Sequence, residues 1–225
     1  MAPTNFPDGV TNAQLPSALQ TFIAPDPTVL HQYFNDFDVY TAGDWTNTAT
    51  GSVTNAIAAG DGGILSLGNS ASSADLDSLQ LKAATFQFTA NKQAWIKARF
   101  NLSNATNANL ILGLIQTTTT PLTVTDGLYF SKLAASTTLT AKAAKSSTAS
   151  SVNVGTLANT TYVTVGLHYD GGDNVFVYLN DTRVAILPTT NLPTGVNLNL
   201  TMAISNGTAA AITALIDYVM VATQR

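Results

Sequence analysis

The stretch Ala211-Ile-Thr-Ala-Leu-Ile-Asp-Tyr-Val-Met-Val-Ala222 constrains the fold more than any other part of the chain. β-Branched and aromatic side chains fit a pleated, half-buried surface, so this run reads as a long strand. The same signature recurs upstream. Ala94, Ile96, Ala98, Phe100 and Leu102 alternate with Trp95, Lys97, Arg99 and Asn101, the period of a strand buried on one face. Leu110-Ile-Leu-Gly-Leu-Ile115 is apolar throughout and reads as a central strand, the expected partner of Trp95–Leu102. Val53–Ala58 and Ile64–Leu67 flank the glycine-rich turn 60–63, and Gly68–Asp77 reads as a polar loop. Gly127–Leu133 and Thr138–Lys142 form a further pair, followed by a small, polar tip over Ala143–Ser151.

Thr160–Tyr169, Val175–Leu179 and Arg183–Leu187 form a hairpin series. Its turns are Asp170-Gly-Gly-Asp-Asn174 and the two-residue Asn180-Asp181. Asn197–Ser205 and Ala211–Ala222 close the chain as an expected pair. Many short strands with turns every eight to twelve residues predict an all-β, two-sheet antiparallel sandwich over residues 32–225. Residues 1–31 differ, holding five of the eight prolines. Proline lacks an amide donor, so a central strand cannot form there. This segment is either a draped leader or an extended arm, with room for one short helix between Thr11 and Ile23. Phe6, Leu15, Leu19, Phe22 and Ile23 are its candidate interface residues.

All thirteen acidic residues are aspartates, against nine Lys and Arg, for a net charge of −4. No basic patch points to nucleic acid. No apolar run is long enough to cross a membrane as a helix. Cysteine is absent, which removes disulfides and thiol chemistry. Glycoside hydrolysis takes two carboxyls facing one cleft. Asp36 and Asp38 share a strand face by spacing, and Asp75 and Asp77 share that spacing in the polar loop, but turn capping explains both pairs. The chain is therefore expected not to be an enzyme. Calcium takes six to eight oxygen ligands, and Asp170, Asp173 and Asn174 around a Gly-Gly turn are the weak candidates for it. Tyr33, Tyr40 and Trp45 are candidate contacts for a glycan or a protein partner.

Residues 33–222 resemble the concanavalin-A-like, laminin-G-like jelly-roll family. The resemblance rests on Trp95-Ile-Lys-Ala-Arg-Phe, Gly127-Leu-Tyr-Phe, Tyr162–Gly172, Val175–Asp181 and Ile216–Val221. It implies glycan or protein binding, often with calcium. The β-glucan hydrolases of that family carry a glutamate-based motif, which a chain without Glu cannot supply. The leader Asn5-Phe-Pro-Asp-Gly-Val-Thr-Asn12 is similar to the openings of tailed-bacteriophage structural proteins. That similarity implies a virion protein decorating the capsid surface, with the major capsid protein and copies of itself, in a trimer, as partners. The alternative is a carbohydrate-binding module of a phage tail or fibre protein.

Overall fold

The computed structural model describes residues 28–225. Phe6, Leu15, Leu19, Phe22 and Ile23, and the helix expected near them, lie outside the described residues. The strands are β1 (Leu30–Asn35), β2 (Trp45–Thr50), β3 (Val53–Ala58), β4 (Ile64–Asn69), β5 (Leu76–Leu81), β6 (Ala94–Leu102), β7 (Ala108–Ile115) and β8 (Gly127–Lys132). They continue with β9 (Thr138–Lys145), β10 (Thr148–Thr156), β11 (Val163–Tyr169), β12 (Asn174–Leu179), β13 (Thr182–Pro188), β14 (Asn199–Asn206) and β15 (Ile212–Gln224).

An eight-stranded sheet runs β13-β12-β11-β6-β15-β4-β3, with β1 also paired to β15. A seven-stranded sheet runs β10-β9-β8-β7-β14-β5-β2. The named pairings are antiparallel, and the two sheets stack as a jelly-roll-like sandwich. The all-β, two-sheet expectation holds. The division drawn between residues 31 and 32 falls inside β1, whose first two residues already pair with Gln224 and Thr223.

Alternation builds the core. β6 sends Ala94, Ile96, Ala98, Phe100 and Leu102 inward, and β7 sends Leu110, Leu112 and Leu114 to meet them from the other sheet. Phe86, Phe100 and Phe130 are fully buried. Each such side chain contributes about 1.5–3 kcal/mol by leaving water.

Two expectations about pairing and two about the extent of a loop fail. β6 and β7 are not partners, because the connection Ser103–Asn107 carries the chain from one sheet to the other. β7 pairs instead with β14 and β8. β14 and β15 likewise lie in different sheets. The polar tip over Ala143–Ser151 is a hairpin, since β9 continues to Lys145 and β10 starts at Thr148. There Ser146 and Ser147 take positive φ to make the turn. The loop expected over Gly68–Asp77 is shorter than its polarity suggested. Leu76–Leu81 is strand β5, and Asp77 points into the sandwich beside Leu79.

Candidate functional site

Three strands of the eight-stranded sheet place aromatic rings in one outward row. In the ladder His168 faces Trp95 on one side and Phe176 on the other. Trp95 and His168 stack with centroids 5.2 Å apart and planes 6° from parallel, and Phe176 leans on His168 at 5.7 Å. Such arrangements are typical of favourable ring pairs. His168 Nε2 is 3.0 Å from Gln93 Oε1, an acceptor, so that nitrogen carries the proton. Burial holds His168 below its ordinary pKa despite the opposing pull of Asp170, which keeps the ring neutral at neutral pH.

The adjacent row reads Tyr178, Gly166, Lys97 and Met220. Gly166 has no side chain, so a hollow of about 180 Å³ opens between Trp95, Lys97, His168, Tyr178 and Met220. Gly166 is in ordinary extended backbone, and a Cβ there would meet Tyr178 Cβ at 3.5 Å. The glycine is therefore not demanded by conformation. It leaves space.

Asp181 forms the rim. The β12–β13 turn Asn180-Asp181 has positive φ at both residues, as a tight hairpin turn of the expected kind requires. That turn brings Asp181 Oδ1 to 2.6 Å from Lys97 Nζ. The bond to Asp181 raises the Lys97 pKa against the effect of burial. The pair is exposed, so it adds little stability, but it offers an anion and a cation at the mouth of an aromatic hollow. Farther along the same face Arg99 pairs with Asp217 and lies over the Tyr162 ring at 4.4 Å.

The residues singled out in sequence lie elsewhere. Trp45 is buried in the core, and Tyr33 meets it edge-on at 6.3 Å. Tyr40 packs partly against the same core. The Asp170 turn is self-contained. Asp170 Oδ1 accepts from the Gly172 and Asn174 amides at 2.8 and 3.2 Å, and Oδ2 accepts from Asn174 Nδ2 at 3.1 Å. Burial would raise this carboxyl, yet those bonds outweigh it and the pKa is lowered. The carboxylate thus caps its own turn. Among the described residues no three His, Cys, Asp or Glu side chains gather to hold a metal.

Asp36 is raised by burial first, then by Asp217, Asp38 and Asp61. Asp77 does not join an outward pair of acids. Its Oδ1 accepts from Asn47 and Asn55 at 3.3 and 3.2 Å between the sheets, and burial pushes its pKa up to about 6.

Sequence reasoning passed over Gly166, His168 and Tyr178 as a group. The available signal was parity, because Trp95 and Tyr178 both alternate with inward aliphatic residues.

No family model matches the sequence, and no curated protein matches it significantly. Solved structures do share the fold. A protein of unknown function from Shewanella oneidensis MR-1 superposes with a TM-score of 0.62 at 15% identity, covering 95% of this chain and 97% of that one. The carbohydrate recognition domain of Emp47p gives 0.60 at 14% identity, covering 89% and 99%. An endo-β-1,4-glucuronan lyase from the fungus Trichoderma reesei gives 0.55 at 12% identity, covering 84% and 94%. The chain therefore has the concanavalin-A-like, lectin-type sandwich fold. None of these three is named as a virion protein, so the capsid reading gains no support from them.

Proposed function

We propose that this chain is a carbohydrate-binding domain that seats a sugar ring in the hollow over Gly166. The observation that carries this reading is the hollow itself: flat aromatic walls from Trp95, His168 and Tyr178, with the Lys97–Asp181 pair at its edge. A sugar presents apolar C–H faces that stack on rings, and hydroxyls that hydrogen-bond to charged side chains at the rim. Of the three similar folds named above, one is named a carbohydrate recognition domain and one an endo-β-1,4-glucuronan lyase. The reading is one of binding rather than hydrolysis. Asp181 is the single carboxylate among the lining residues and is paired with Lys97, whereas glycoside hydrolysis takes two carboxyls.

The test is a glycan array read with the wild type and with Gly166→Val. Valine favours strands, and its Cβ makes an ordinary contact with Tyr178, so the fold is retained while the hollow is filled. Binding by the wild type and its loss in the variant, with an unchanged melting temperature, is the expected result. A wild type that retains no glycan, or a variant that binds equally well, overturns the proposal.

A further inference from the structure

The two ends of the sandwich finish their edge strands differently. At one end β13 and β10 pack on each other. The ladder of β13 is broken by a bulge at Val177 and Tyr178 of β12, and the strand carries Arg183 and stops at Pro188. The ladder of β10 is broken between Asn153 and Gly155. Charges, prolines and bulges keep an edge strand from pairing with another chain. At the other end the edges are β3 and β2, joined through Gly51 and Ser52. Both keep an unbroken register, with β4 and with β5, and neither contains a charge or a proline.

β3 also exposes a side chain that belongs to the core. Residues opposite each other in a ladder share a face, and Ile57 stands opposite Leu65, which is 0% exposed inside the sandwich. Ile57 therefore points between the sheets, yet it is 39% exposed, because no strand lies beyond β3 among the described residues. Val53 lies on the same face opposite buried Asn69, and Asn55 lies between the two. Asn55 donates to Asp77 at 3.2 Å, while its own Oδ1 is buried without a donor among the described residues. An edge strand turns a row of amides and carbonyls outward. Among the described residues the backbone of Val53–Ala58 bonds only to β4. β2 has no comparable side chain, since Trp45 is buried and the rest of the strand is Thr, Asn and Ala.

We propose that β3 pairs antiparallel with β3 of a second copy, about a twofold axis through Asn55, so that the eight-stranded sheets of two protomers join edge to edge. The occupant follows from the strand's neutrality and from its inward row. In an isologous pair a strand meets itself, so a charge near the axis would confront its like; an uncharged strand is what self-pairing takes. The register follows from Ile57. Centred on Asn55, Ile57 of each copy meets Val53 of the other, and Asn55 meets its own counterpart, which sets an amide donor beside the unanswered oxygen. Centred on Ala56, Ile57 would face an amide; centred on Thr54, it would face Gly51. The chosen register also places Thr54 opposite Ala56 of the second copy on the outer face. This inference is independent of the glycan reading.

The experiment is sedimentation of the full chain from about 1 μM to about 0.5 mM, the range in which a small interface associates. A reversible dimer is the expected result. Ile57→Lys sets a charge in the apolar pair and should weaken the dimer at least about tenfold, with the circular dichroism of the monomer unchanged. The sequence has no cysteine, so introduced thiols report alone. Opposed Cα atoms lie about 4.5–5.5 Å apart in such a ladder, within disulfide reach. Under mild oxidation Thr54→Cys mixed with Ala56→Cys should therefore give a crosslinked dimer, and neither variant alone should do so. A chain still monomeric at about 0.5 mM overturns the proposal. So does an Ile57→Lys variant that dimerises like the wild type, or crosslinking by one cysteine variant alone as readily as by the mixture.

Discussion

The outward faces of the two sheets follow the same alternation and end in opposite environments. On the eight-stranded sheet the outward row is open, with Phe34 54%, Ile186 48% and Val184 44% exposed around the half-buried rings. On the seven-stranded sheet outward Ile111, Ile115, Tyr129, Ala144 and Ala203 form a second small apolar cluster, each 5% exposed or less. The segment 116–126 between β7 and β8 accounts for the difference. It folds back over its own sheet, packs Val124 on that cluster and donates the Thr118 amide to Gln80 at 3.1 Å. Thr117 also reaches Asn199 at 3.2 Å. The pleat therefore decides which side of a sheet a residue occupies. The connections decide whether that side stays wet, and so which face can meet a ligand.

The largest effect expected from this contrast is on the covered face. Tyr129→Ala should behave as a core deletion, costing about 3 kcal/mol and roughly 6–12 °C in Tm. A melting curve that barely moves would mean that the segment 116–126 does not hold that face dry. Trp95→Ala on the open face should do the reverse. It should weaken glycan binding by roughly thirtyfold, as a central aromatic anchor does, while stability changes by less than about 1 kcal/mol. If both variants lose stability equally, the two faces are not distinct.

The smallest effect concerns neither outward face and sharpens the contrast by leaving binding untouched. Asp77 has a folded pKa near 6 against an ordinary value of 3.8. The folded state therefore holds its proton more tightly than the unfolded chain does. Stability falls as pH rises from about 4 to above 6, by something on the order of 2 kcal/mol. A proton also supplies a donor where Asp77 Oδ2 and Asn55 Oδ1 are buried and unpartnered among the described residues. Asp77→Asn should accordingly match the wild type near pH 4 and melt higher at pH 8, with unchanged affinity. A variant that melts lower at both pH values would show that the carboxylate is needed charged.

Much of the fold was legible because alternation is local. Trp95–Leu102, the β11–β12–β13 series and the Asn180-Asp181 turn can all be read from residues adjacent in the chain. Which strands pair is not local. Short turn-forming tracts follow β6 and precede β15, as they would in hairpins, yet both change sheets, and nothing in Ser103–Asn107 or Gly207–Ala211 marks the crossing. The candidate site was half legible for the same reason. Parity sets Trp95 and Tyr178 outward, but Gly166 becomes a hollow only once β11 lies between β6 and β12. Trp45, the more conspicuous tryptophan after a Gly-Asp turn, went instead to the core. Asp170 offered oxygens suited to calcium, and its own turn amides took them.

The thirteen-residue β15 has a divided flank. β4 pairs with its Ile212–Ile216 half and β1 with Val219–Gln224, while β6 runs along the opposite side of both. No rung is common to β1 and β4. The first strand can thus peel away as a unit of local opening, breaking its own ladder and the ring contacts of His31 with Phe86 and Tyr33 with Trp45, while the remaining seven strands stay zipped together. Leu30 and His31 of that strand border depressions beside Lys92 and Arg225, whereas no residue of that strand lines the aromatic hollow, so its fraying would reshape the former and leave the latter in place.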